Sequence, residues 1–181
     1  MDLKKAHIAI IGENSYGWVL AYWTVLNTAG VVLPVDKDLP AEDTEYILKT
    51  GDVAAIFYAS SVADKIESIA EKLGITVLIR TDDIKPIPEG KLFIKDMITE
   101  GGKLLDGGDK TYIDINHDDI DQLKQIMFTS GTTGKSKGVM HSSRVLITNT
   151  YQGQRLLKIT ERTLSVLPYH HAYEATAELI I

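Results

Sequence analysis

Residues 7–36 read HIAIIGENSYGWVLAYWTVLNTAGVVLPVD, and this stretch decides the fold. It opens with a short β-branched run, IAII from Ile8, and closes with another, VVLPV from Val31. Between them Trp18, Tyr22, Val25, Leu26 and Ala29 fall at i, i+4, i+7, i+8 and i+11, which is one face of a helix. Asn14 or Ser15 is placed to cap that helix, and Gly30 to end it. Strand, helix, strand is therefore the reading. A membrane span is excluded, because within residues 19–35 Thr24, Asn27, Thr28, Gly30 and Pro34 interrupt an apolar run that falls short of about 20 residues. The N-terminal apolar run before Gly12 is likewise too short for a signal peptide.

The same rhythm continues outward. AAIFYA from Ala54 and TVLI from Thr76 keep the strand starts, at residues 8, 31, 54 and 76, about 23 apart. That interval holds one helix and two loops, as in a parallel sheet with flanking helices. The second helix is read from Pro40 through Lys49, with Glu42 and Asp43 in its first turn and Gly51 at its stop. The third places Val62, Ile66, Ile69 and Leu73 on one stripe and closes with Gly74. The expected fold class is α/β, a mostly parallel sheet with helices on it. Three segments are expected: a βαβαβαβ unit over 1–80, a connection over 81–125, and a final unit over 126–181. The connection carries Pro86, Pro88, Gly101, Gly102, Gly107 and Gly108, and is read as loop with a short helix near 95–100. Its aspartates lack the ligand spacing of a calcium loop.

Composition narrows the function. The 181 residues are 44% hydrophobic and 24% charged, so the chain can build a core. A net charge of −6, with no basic block, argues against general nucleic-acid binding. There is no cysteine, which removes disulfides, thiolate zinc ligands and a cysteine nucleophile, and fits a cytoplasmic location.

The chemistry concentrates in residues 129–139, TSGTTGKSKGV, directly after a strand read from Ile126. Five hydroxyls, four of them in the first five positions, with three glycines and two lysines within Thr129–Gly138 suit a phosphate cradle: glycines turn backbone N–H groups into one concavity, hydroxyls donate, and lysines bring charge. A P-loop would need glycine at Thr129 and a helix after Ser136, whereas GVM reads as a strand. A helix from about Ser142 to Leu157 and a strand TLSVLP from Thr163 follow. The last residues are apolar and uncapped, which leads to the expectation that the chain is the front section of a longer domain.

TSGTTGKSKGV resembles the phosphate loop of the adenylate-forming superfamily, which includes acyl-CoA synthetases, beetle luciferases and peptide-synthetase adenylation domains. AGVVLPVD, Ala29–Asp36, followed by Pro40, is similar to the family's upstream motif, and LPYHHAYE, Leu167–Glu174, to the segment after its phosphate loop, with an ending like that of the long-chain fatty-acid branch. The chain departs at Ser136, where the family usually has proline, and at Ser143, where it usually has histidine and this chain instead has His141 two residues earlier. The resemblance implies ATP with Mg²⁺, a small-molecule carboxylic acid and coenzyme A as co-substrate. It assigns Thr129, Ser130, Gly131, Thr132, Thr133, Gly134 and Lys137 to the β- and γ-phosphates, Thr129 also to Mg²⁺, Lys135 to the rim, His171 to the junction of nucleotide and acyl pockets, and Glu174 to the nucleotide. Lys137 and His171 would carry catalysis, while His170 is expected mainly to pack. The remainder of the same polypeptide is an implied partner, without which this chain is expected to be inactive, and peripheral membrane contact stays open. Two other readings remain: a fragment of an aryl-acid or amino-acid adenylation domain, and a flavodoxin-like nucleotide-binding module without chemistry.

Overall fold

Alternation along β1 (His7–Ile11) explains the architecture, because its side chains face two different cores. Ile8 and Ile10 join one apolar cluster, and Ala9 and Ile11 the other. In the computed structural model, which describes residues 5–28, 30–111, 119–129, 135–156, 166–171 and 174–175, seven strands form one sheet. Besides β1 these are β2 (Val31–Val35), β3 (Val53–Tyr58), β4 (Val77–Arg80), β5 (Leu92–Phe93), β6 (Leu123–Thr129) and β7 (Lys137–Ser142). Their order is β5-β4-β3-β1-β2-β6-β7, parallel throughout except that β7 returns antiparallel to β6.

The chain steps from β1 to β2 in one direction and from β2 past β1 to β3 in the other. Right-handed crossovers then place the connecting helices on opposite faces. Accordingly α1 (Tyr16–Leu26) packs Trp18, Ala21, Tyr22 and Val25 against Ile8, Ile10 and Val32, while α2 (Ala41–Thr50) and α3 (Ala63–Leu73) pack Ile47, Leu48, Ile66 and Ile69 against Ile11, Leu33 and Ile56. Burying one such side chain stabilises the fold by about 1.5–3 kcal/mol. The carboxyl ends of β1, β2 and β6 lie together, where open α/β sheets bind ligands.

The helix boundaries refine the sequence reading. Ser15, rather than Asn14, caps α1, its hydroxyl accepting from the Trp18 N–H at 3.1 Å. The helix closes at Asn27, before Gly30. Gly74 ends α3 in the left-handed conformation that glycine permits. Gly51 at the end of α2 does not, since φ is −76°; there a Cβ would stand 2.5 Å from Leu33 Cδ2, so space is the constraint.

Residues 81–111 hold more order than expected. Instead of a short helix at 95–100, the chain adds β5 beside β4 and then α4 (Ile94–Asp106). Gly101 and Gly102 read as breakers, yet both lie inside α4, whose Ile94, Met97, Ile98, Leu104 and Leu105 share one helical face; of these only Ile94 is buried. After β7, α5 (Ser143–Leu156) agrees with the expected helix. The expected strand from Thr163 falls partly outside the described residues, and Val166–Pro168 are not in a strand.

Candidate functional site

The hairpin of β6 and β7 sets the geometry. Thr129, the last residue of β6, pairs directly with Lys137, the first of β7, and the register continues through Phe128 with Gly138 and Met127 with Val139. Gly138 lets the strands close, since a Cβ there would lie 3.0 Å from Ile126 Cγ2. Thr129 and Lys137 thus end an antiparallel strand pair at the carboxyl end of β6. A strand and not a helix follows the glycine-rich stretch, which separates it from a P-loop of the NTPase kind. Ser130, Gly131, Thr132, Thr133 and Gly134 lie outside the described residues. Thr129 and Lys137 are exposed at the end of the strand pair, and Lys135 holds its ammonium 5.4 Å from the centroid of the Tyr46 ring on α2.

A cleft of about 480 Å³ opens beside the hairpin. Thr129, Ser136, His141, His170, His171 and Asp36 give it its polar lining, and Leu39, Ile47, Met127 and Phe128 its apolar floor. The structure therefore brings Thr129 and His171 to one cleft, although 42 positions separate them in the numbering. His171 is exposed, and its N–H donates to the Pro168 carbonyl at 2.9 Å. Glu174, read as a nucleotide contact, is buried at 3% exposure and is not among the described residues that line the cleft.

His170 needs correction. It was expected to pack, but it lines the cleft with Nε2 3.6 Å from the Asp36 carboxylate. Burial pulls its pKa below the ordinary imidazole value, although Asp36 and Asp38 act in the opposite direction. His141, on β7, is likewise held low by burial, and its Nδ1 is a buried polar atom without a hydrogen-bond partner. Both imidazoles are thus biased toward the neutral form at neutral pH.

The segment that carries His170 and His171 is held from below. The Asn14 side chain donates from Nδ2 to the Leu167 carbonyl at 2.7 Å and accepts the Tyr169 N–H on Oδ1 at 2.9 Å. The Tyr169 ring lies against Trp18, with centroids 5.4 Å apart. Sequence reading missed Asn14 and the Asp36–His170 pair as site features, and noted His141 only as a displaced family histidine. Asp36 had a signal, since it ends the quoted AGVVLPVD motif; Asn14 becomes visible as a site feature only when the sheet places it.

No group of three or more histidines, aspartates or glutamates suited to a metal ion occurs among the described residues. Nor is any helix among them long and apolar enough to cross a membrane.

Comparison with known proteins agrees with this geometry. The mitochondrial malonate–CoA ligase of Bos taurus is 24% identical over 182 residues, covering 99% of this chain and 28% of the relative. A CoA ligase of Gibberella moniliformis is 28% identical, again over 99% of this chain and 28% of the relative. The crystal structure of ATP-bound MatB from Rhodopseudomonas palustris superposes with a TM-score of 0.73 at 23% identity, over 98% of this chain and 33% of that one, and so shares the fold. The chain spans a little over a quarter of the length of these two curated relatives. Residues 3–181 match the model of the AMP-binding enzyme family, and on that match the chain belongs to it.

Proposed function

We propose that this chain is part of an AMP-forming acid–CoA ligase. In that reaction a carboxylate oxygen attacks the α-phosphorus of ATP, the bond to the β-phosphate bridging oxygen breaks, and acyl-adenylate and pyrophosphate form. The thiol of coenzyme A then attacks the acyl carbon, loses its proton and releases AMP. The carboxylate is already a nucleophile, so the protein's work is positioning and charge stabilisation. One observation carries the reading: the β6–β7 hairpin sets Thr129 opposite Lys137 at the carboxyl end of the sheet, beside a cleft that His171 also lines.

In this reading the Thr129 hydroxyl, residues Ser130–Gly134 and the Lys137 ammonium hold the β- and γ-phosphates, with Lys135 at the rim. Magnesium prefers oxygen ligands and keeps several waters. Among the described residues Thr129 is the hydroxyl that this reading gives it, which fits an ion held chiefly by the phosphates themselves. When bound, it would neutralise the charge on the leaving pyrophosphate.

For the acid we favour a long-chain fatty acid, on the HHAYE segment that ends at Glu174. A short dicarboxylic acid is the second reading, supported by the malonate named for the bovine relative. A cytoplasmic location is part of the same proposal.

ATP–pyrophosphate exchange by the intact protein tests it, with fatty, dicarboxylic and aryl acids offered in turn. Acid-dependent exchange is expected, strongest with the fatty acids. Exchange with none of them would overturn the ligase reading, and ATP binding without exchange would point to a module without chemistry. The 181-residue chain by itself is expected to give no acyl-adenylate.

A further inference from the structure

We propose that Asn14 is a positioning residue for adenylation: its amide clamps the histidine-bearing segment to the carboxyl end of β1 and so fixes where His171 stands relative to the Thr129–Lys137 hairpin. This rests on the ligase reading above.

Three observations lead to it. The first is that one planar amide serves both sides of Pro168, donating to the Leu167 carbonyl at 2.7 Å and accepting the Tyr169 N–H at 2.9 Å. Two bonds from one plane fix orientation as well as distance. The second is that the amide is free for this task, because Ser15 supplies the α1 cap. The third is that its own loop is closely packed at both ends. A Cβ on Gly12 would lie 2.7 Å from Ala59 Cβ, just after β3, and one on Gly17, in the first turn of α1, 2.2 Å from the carbonyl oxygen of Thr81, just after β4.

The clamp passes to His171 through one turn of chain, since the His171 N–H donates to the Pro168 carbonyl between the two clamped residues. The Tyr169 ring against Trp18 adds apolar contact but little orientation. Asn14 thus provides the directional link. Because its side chain is exposed, replacing it should disturb the fold little, while a shift of about 1 Å at a positioned group can cost a reaction about a hundredfold.

The test uses the intact protein and its ATP–pyrophosphate exchange with the best acid. Asn14→Asp keeps the size and the acceptor but loses the donor to Leu167; Asn14→Ala loses both. In each variant kcat should fall about tenfold or more, the KM for ATP should stay within about twofold, and the thermal midpoint should stay near that of the parent. Variants with kcat within about twofold of the parent would overturn the proposal. So would a KM rise at unchanged kcat, or a loss of activity that only follows the loss of folded protein. If the parent shows no exchange with any acid, the ligase reading falls and this inference with it; variants as active as an active parent remove the inference alone.

Discussion

Lys137 and Thr129 face each other across the last pair of the hairpin, so a single side chain can be asked what the charge is worth. A hydrogen bond to a charged group contributes about 1.5–3 kcal/mol. If Lys137 stabilises the departing pyrophosphate, Lys137→Ala in the intact enzyme should slow adenylation about ten- to a hundredfold, read by pyrophosphate exchange. An unchanged rate would remove Lys137 from the phosphate site. Lys135 should matter less, since its ammonium rests on the Tyr46 ring. Both lysines could be read from one contiguous motif. His170 could not, because what makes it a cleft residue is Asp36, which lies far away along the chain.

At the scale of elements, α1 matters most because it carries the Asn14 loop at one end and the Trp18–Tyr22 stack in the core. Ser15→Ala removes the N-cap and should cost about 1 kcal/mol, measured by urea denaturation. Gly17→Ala is decided by competing effects. Alanine in a helix interior is worth about 1 kcal/mol over glycine, but here the added Cβ would stand 2.2 Å from the Thr81 carbonyl oxygen. The clash wins, with an expected loss of about 3 kcal/mol. A Gly17→Ala protein as stable as the parent would mean that α1 can slide on β4. The element that sequence reading undervalued was α4, where glycines were weighed as breakers before the apolar face on either side of them was counted.

For the whole molecule, pH couples the cleft to stability. His141 and His170 are both held below the ordinary value of 6.5, chiefly by burial. As pH falls through 6.5 the unfolded chain takes up protons that the folded chain refuses, so their stabilisation is complete above 6.5 and is lost on acidification, down to their folded pKa values. The urea midpoint should therefore drop between pH 7.5 and 5.5, and a protein with His141→Gln and His170→Gln should drop less. An equal drop in both would remove these two histidines as its source. Sequence by itself determined the αβ rhythm and the hydroxyl–glycine–lysine motif, because each is written in residues that are neighbours or share a short period. Only the tertiary structure decided which strands lie side by side. Pairing β2 with β6 across some 90 residues, with Lys124 reaching back to the Thr28 carbonyl, brings Asp36 to the hairpin. The side chain of Asn14 reaches across 153 residues to the histidine segment, and contacts that distant have no period in sequence.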